Sequence, residues 1–134
     1  MTRTVTIAVE NKPGALANVC NLLAKEQVNI DAFHSEGTGE LGFVRIVTNN
    51  PDRCTQVLKK NGFTCTTTET FEVTVPNRPG ELARICARLA EKNVNIDSAF
   101  GTTPPTGEGR IVFRVNNPEA ARSILSTTPI AAVR

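Results

Sequence analysis

The sequence predicts an α+β fold in which two ferredoxin-like βαββαβ units follow one another, each an antiparallel sheet with its helices on one face. The first observation is an internal repeat, since NKPGAL at 11–16 matches NRPGEL at 77–82 and VNID at 28–31 matches VNID at 94–97. The second is that apolar residues within each copy switch between the spacing of a strand and the spacing of a helix.

The first half of each copy reads as a strand followed by a helix. Val5, Ile7 and Val9 alternate with other residues, as in a half-buried strand, and residues 71–75 repeat the alternation. A predicted core helix follows, and its buried face should carry two of the four cysteines as core thiols. The residues at helical spacing are Leu16, Cys20 and Leu23 in the first copy and Leu82, Cys86 and Leu89 in the second.

The second half of each copy reads as a hairpin, a helix and a closing strand. Two strand-like runs flank a glycine-rich turn at 37–42, which predicts the hairpin. Pro51 opens a second helix with Asn49 or Asn50 as its N-cap, and Gly62 suits its C-terminal end. The second copy has the same order with a shorter closing part. The two predicted domains are residues 1–69 and 70–134.

The composition argues against several classes of protein. Aromatic residues make up 4%, without Trp or Tyr, and the net charge is +2, so neither base stacking nor phosphate binding is indicated and no nucleic-acid partner is expected. The apolar runs are shorter than the ~20 residues that span a bilayer, and the first residues do not resemble a signal peptide. We therefore expect a cytoplasmic protein with no membrane partner.

The residues that carry redox, metal or acid–base chemistry are scattered. The four cysteines form no C-x-x-C pair, and His34 has no partner at ligand spacing, so we expect free thiols, no metal and no cofactor. His34 also lies outside the repeat, because Phe100 stands at that position in the second copy. Without a nucleophile–base pair, no catalytic residues are expected.

The junction between the first strand and the first helix is suited to binding an amino acid. The first amides of a helix are unpaired and carry a partial positive charge, which favours a carboxylate, and Gly14 permits close approach. Asn11 offers both a donor and an acceptor, and Asp31 is a negative partner for an ammonium group. The alternatives stay open: Asn11 as a helix cap, Pro-Gly as turn punctuation, and Asp31 as a solvated strand end.

The segment N-x-P-G-x-L-A, followed by V-N-I-D and present twice, resembles the ACT domain, a family of regulatory amino-acid-binding modules. The resemblance covers the whole sequence as a tandem pair of ACT domains, without the catalytic or DNA-binding domain to which such units are commonly attached. It implies allosteric regulation, an amino-acid effector as partner, and an enzyme of amino-acid metabolism as a further partner. It also favours a homodimer.

In ACT domains the effector commonly lies between two domains, where the first strand–helix loop of one faces the start of the second strand of the other. The resemblance therefore implies two ligand-binding sets that differ at Ala15 and Glu81. One contains Asn11, Pro13, Gly14, Ala15 and Leu16 with Asn95, Ile96 and Asp97, and the other contains Asn77, Pro79, Gly80, Glu81 and Leu82 with Asn29, Ile30 and Asp31. The alternatives are a structural dimerisation or interaction module without a ligand, and a small enzyme.

Overall fold

The computed structural model describes residues 2–102, 107–126 and 132–133. These residues form two compact units, one of Arg3–Thr68 and one of Thr2 with the described residues from Glu69 onward. The elements are β1 Thr2–Glu10, α1 Ala15–Lys25, β2 Ile30–Thr38, β3 Leu41–Thr48, α2 Pro51–Lys60, β4 Cys65–Pro76, α3 Glu81–Glu91, β5 Ile96–Thr102, β6 Glu108–Val115, α4 Pro118–Ser126 and β7 Ala132–Val133. The predicted fold class, a tandem of βαββαβ units, is confirmed.

The sheet of the first unit has β3 between β1 and β2, with both pairings antiparallel. At one end Glu10 and Thr38 both pair with Leu41, and at the other end Ile30 pairs with Thr48. β3 is 8 residues long, which at about 3.3 Å per residue puts these two ends roughly 23 Å apart. The loop that enters α1 and the start of β2 therefore lie at opposite ends of the sheet.

The sheet of the second unit repeats this arrangement with β6 between β4 and β5. Pro76 pairs with Glu108 at one end, and Ile96 pairs with Val115 at the other. β7 pairs antiparallel with β4 at Val73 and Thr74. The loop that enters α3 is thus also separated from the start of β5 by the length of the central strand.

Each unit has its own core between the sheet and its two helices. Alternate strand residues and one face of each helix are buried, so both helices of a unit pack on the same face of its sheet. In the second unit the rings of Phe71 and Phe113 stack with centroids 5.4 Å apart. The fully buried residues include Val5, Ile7, Val19, Leu23, Val44, Ile46 and Leu58 in the first unit and Phe71, Val73, Ile85, Leu89, Phe113 and Leu125 in the second.

The buried face of α1 differs from the predicted one by about one residue. Val19 and Leu23 are fully buried, whereas Leu16 is 37% exposed. In α3, correspondingly, Leu89 is buried and Leu82 is 51% exposed. Each helix begins directly after the glycine. The residues that face the sheet are those four and eight positions after the first helical residue. The prediction that Leu16 and Leu82 pack on the strands is therefore wrong.

The same rotation changes which thiols are buried. Cys20 and Cys86, predicted to be core thiols, are only half-buried, whereas Cys54 and Cys65 are buried. Burial raises the pKa of the Cys54 thiol to about 11, with the neighbouring Cys65 as a smaller cause. The thiolate is the reactive form of cysteine, so we expect Cys54 to react more slowly than the half-buried Cys20 and Cys86.

The helix ends follow local hydrogen-bonding rules. Asn50 Oδ1 accepts a hydrogen bond from the amide of Arg53 at 3.1 Å, which confirms the predicted N-cap of α2. α2 ends at Lys60, and Gly62 follows in the left-handed conformation with φ 85°. α1 and α3 end differently, because Gln27 and Asn93 occupy that region with φ 58° although neither is glycine. Left-handed backbone strains a residue that has a Cβ.

We expect Gln27→Gly to raise the free energy of unfolding by about 0.5–1 kcal/mol, because glycine adopts positive φ without strain. Asn93→Gly should give a smaller gain, since asparagine tolerates this region better than glutamine does. Urea denaturation followed by circular dichroism measures both. A loss of stability in Gln27→Gly would contradict the strain argument.

We expect iodoacetamide to alkylate Cys54 in the native protein at least about tenfold more slowly than Cys20 and Cys86 at about pH 8, because burial suppresses its thiolate. In denaturant the rates should converge. Peptide mass mapping over a time course measures each rate. Native labelling of Cys54 as fast as that of Cys20 would show that the buried environment does not protect it.

Candidate functional site

The loops before α1 and α3 end in a left-handed glycine that replaces a side-chain cap. Gly14 has φ 87° and Gly80 has φ 90°, and each is the N-cap residue of its helix. Neither helix has a side-chain cap hydrogen bond. The reading of Asn11 and Asn77 as helix caps is therefore wrong. The backbone turn itself starts these helices, and it needs a residue without Cβ.

The first amides of both helices remain available. In α1 the N–H groups of Leu16 and Ala17 have no hydrogen-bond acceptor among the described residues, and the same holds for Leu82 and Ala83 in α3. Such amides carry the positive end of the helix dipole. Each loop therefore has two N–H donors that suit a carboxylate.

Asn11 fixes its loop to the turn between β2 and β3. Its side chain Nδ2 donates to the carbonyl of Gly39 at 2.9 Å, and its backbone N–H donates to the carbonyl of Glu40 at 2.9 Å. The side chain also lies against the backbone of Gly37, where an added Cβ would be 2.5 Å from Asn11 Cγ. In the second unit the backbone N–H of Asn77 donates to the carbonyl of Gly107 at 3.2 Å. The asparagine thus positions the loop rather than the helix.

The start of β2 and the start of β5 each carry an exposed Asn–Asp pair. Asn29 Nδ2 donates to Asp31 Oδ1 at 2.8 Å, and Asn95 Nδ2 donates to Asp97 Oδ1 at 3.0 Å. The second oxygen of each carboxylate accepts no hydrogen bond from the described residues. The pairs hold a negative charge in a fixed position, as a site for an ammonium group requires.

Within a unit, the structure separates the predicted site residues into two groups. The loop lies at one end of the central strand and the Asn–Asp pair lies at the other, roughly 23 Å away. In the first unit the loop group is Asn11, Pro13, Gly14, Ala15 and Leu16, and the strand-start group is Asn29, Ile30 and Asp31. In the second unit the loop group is Asn77, Pro79, Gly80, Glu81 and Leu82, and the strand-start group is Asn95, Ile96 and Asp97. One unit cannot bring both groups to the same amino acid.

A surface depression lies beside each loop. The depression of the first unit has a volume of about 440 Å³, and Lys12, Ala15 and Phe63 are among its lining residues. That of the second unit has a volume of about 280 Å³ and is lined in part by Asn77, Arg78, Glu81, Leu82, Phe100 and Gly101. The sequence motifs do not reveal Phe63 or Phe100, because both lie outside the repeated loop and reach it only through the folding of the sheet.

Each depression is lined by one acidic and one basic side chain, but the acidic groups differ in position and burial. Lys12 Nζ lies 2.7 Å from Glu10 Oε2, and both side chains are exposed. The hydrogen bond from Lys12 lowers the pKa of the Glu10 carboxyl group. At the corresponding place in the second unit, Arg78 Nη2 lies 3.0 Å from Oε1 of Glu81, whose side chain is only 6% exposed. The differences between Ala15 and Glu81 and between Lys12 and Arg78, visible in the aligned repeat, are thus differences at the depressions.

The described residues contain no group of three or more His, Cys, Asp or Glu side chains that could hold a metal ion. None of the helices in this part of the chain is long and apolar enough to cross a membrane.

Comparisons with known proteins identify the same architecture. A family model described as an ACT domain pair matches residues 1–133. A crystal structure of a protein from Bacteroides thetaiotaomicron has a TM-score of 0.90 at 27% sequence identity, over 99% of this chain and 93% of that chain. No curated protein sequence matches.

Two aspartate kinase structures share the fold at lower identity. The ligand-free regulatory subunit of aspartate kinase from Thermus thermophilus has a TM-score of 0.73 at 14% identity, over 93% of this chain and 91% of that chain. Aspartate kinase from Clostridium acetobutylicum, described as an allosteric enzyme, has a TM-score of 0.62 at 15% identity, over 93% of this chain but 32% of that chain. At these identities the similarity concerns the fold.

The contact between Asn11 and Gly37 gives a test of the loop geometry. We expect Gly37→Ala to lower the free energy of unfolding by about 1–3 kcal/mol, because the new Cβ displaces the asparagine side chain. In an Asn11→Ala background the same change should cost less than about 0.5 kcal/mol. Urea denaturation of the four proteins measures the coupling. Equal costs in both backgrounds would show that Asn11 does not occupy this position.

Proposed function

Since the chain belongs to the ACT domain pair family, we propose that it is a non-catalytic regulatory protein that binds a free amino acid. The observation that carries the proposal is the pair of uncapped helix N-termini, at Gly14 and Gly80, each with unpaired amides beside a surface depression. A helix N-terminus of this kind favours an anion, and the ligand's carboxylate supplies one.

The ligand's two charges are bound by different groups in this proposal. The carboxylate accepts hydrogen bonds from the amides at the start of α1 or α3, and the ammonium group donates to Asp31 or Asp97. Because the loop and the Asn–Asp pair of one unit lie at opposite ends of its sheet, a ligand held by both needs a second unit, whether of this chain or of another copy. The ligand-binding residues expected from the sequence remain our proposed set.

Regulation follows from linkage between ligand binding and assembly. A ligand that binds better to one assembled or conformational state shifts the population toward that state by its difference in affinity. We propose a cytoplasmic homodimer that passes this shift to an enzyme of amino-acid metabolism. The regulatory subunit of aspartate kinase, which shares the fold, is a precedent for such a partner.

A thermal-shift screen of the twenty amino acids tests the proposal. At about 100 times its dissociation constant a bound amino acid should stabilise the protein by roughly 2.7 kcal/mol. If no amino acid at millimolar concentration moves the melting temperature, the chain is better explained as an interaction module without a ligand.

Substitution of the aspartates tests the ammonium contact. We expect Asp31→Asn and Asp97→Asn each to weaken binding of the amino acid by about tenfold or more at one site, because the ammonium loses a charged acceptor. Asp52→Asn is the matched control, since Asp52 is exposed and pairs with Arg3 at the start of α2. Isothermal titration measures each affinity. Unchanged affinity in both Asp31→Asn and Asp97→Asn would exclude these carboxylates from the site.

A further inference from the structure

We propose that in the second unit the carboxylate of Glu81 binds a protonated amino group of the ligand, a contact that the first unit lacks because Ala15 stands there. The proposal rests on the proposed function and narrows the class of ligand that the second loop accepts. Because the proposed function assigns the ligand's α-ammonium group to Asp31 or Asp97, the amine that reaches Glu81 is that of a basic side chain.

The observation behind it is a buried carboxylate oxygen without a partner. Glu81 is the first residue of α3, and its side chain is 6% exposed. Oε1 accepts a hydrogen bond from Arg78 Nη2 at 3.0 Å, whereas Oε2 is buried and has no hydrogen-bond partner among the described residues. Buried polar atoms in proteins are almost always paired, and an unpaired charged oxygen is costly. A bound cationic donor would remove this cost.

The surroundings of Glu81 select the chemistry of the donor. Its side chain lines the depression together with apolar residues, among them Leu82, Phe100 and Ile111. In such a poorly solvated place a charge-assisted hydrogen bond is stronger than in water. An ammonium group brings three N–H donors and a positive charge, which match the unpaired, negatively charged oxygen of Glu81.

Arg78 donates to the other oxygen, Oε1, and lines the same depression. Its side chain is 61% exposed, and among the described residues Glu81 is its only ion-pair partner. An exposed side chain changes rotamer rapidly, so Arg78 can move aside and let a ligand's ammonium group reach the Glu81 carboxylate without movement of the backbone.

Stabilisation of the helix dipole does not explain this arrangement. An acidic residue in the first turn stabilises a helix while exposed to water, as Glu119 is in α4. Burial of Glu81 with an unpaired oxygen adds nothing to that effect. In the first unit Ala15 carries no charge and Lys12 pairs with the exposed Glu10, so the two loops present different chemistry to a ligand.

The test is isothermal titration of the full chain with each amino acid that shifts the melting temperature of the wild type, and with its Nα-acetyl derivative. For Glu81→Gln we expect one of two classes of sites to lose at least about tenfold in affinity while the other is unchanged. Glu119→Gln, the matched control for charge at a helix start, should bind as the wild type does. Lysine should show this loss, whereas norleucine, which lacks the side-chain amine, should bind the wild type and Glu81→Gln equally. The Nα-acetyl derivatives should bind weakly to both proteins, because they lose the α-ammonium contact of the proposed function.

The outcomes separate this proposal from the proposed function. Basic amino acids that bind wild type and Glu81→Gln equally would overturn the role of Glu81 and leave the regulatory function standing. No binding to the wild type would overturn both. If Glu81→Gln does not fold, Glu81→Ala replaces it, because the first unit carries alanine at this position, and the same loss of affinity is expected.

Discussion

The left-handed glycine that precedes α1 and α3 is the constraint on which the rest of the site depends. With φ near 90°, Gly14 and Gly80 turn the chain from strand into helix without a capping side chain. A serine or aspartate cap would occupy the first amides of the helix, whereas the glycine leaves them to solvent or to a ligand. Exposed amides are satisfied by water, so the unliganded state tolerates the arrangement. The same turn occurs in both units, so each has uncapped amides at the start of its first helix, and Asn11 holds the first loop against the neighbouring hairpin turn.

The register of each sheet then explains why one unit is not enough for a zwitterion. β1 and β2 run parallel on either side of β3, so the end of β1 and the start of β2 are separated by the whole strand. The amides that suit a carboxylate and the Asn–Asp pair that suits an ammonium group are thereby kept apart. Under the proposed function a zwitterion held by both groups therefore needs a second unit, and a repeated unit meets that need without any change in the fold.

Much of the fold follows from the sequence because its signals are local. Strand alternation, helical spacing and the Asn50 cap depend on a few neighbouring residues, and the structure confirms them. The predicted helix phase is wrong, because Val19 and Ile85 pack on the sheet in place of the neighbouring Cys20 and Cys86, which are identical in the two copies. Whether Asn11 caps a helix depends on the backbone conformation of Gly14. The burial of Glu81 depends on β5 and β6, which are distant in sequence, so no local pattern could reveal it.

At the start of the first helix of each unit, the two copies keep the backbone and differ in charge. Ala15 and Glu81 both begin a helix after a left-handed glycine, yet only Glu81 buries a carboxylate. Under the proposed function, the two loops have different affinities for one amino acid or accept different ones, because only the second loop has a buried carboxylate at the start of its helix. If both sites bias a single conformational equilibrium, each ligand changes the affinity for the other by the same factor. The chain would then respond to the combination of two concentrations, which a pair of identical sites cannot distinguish.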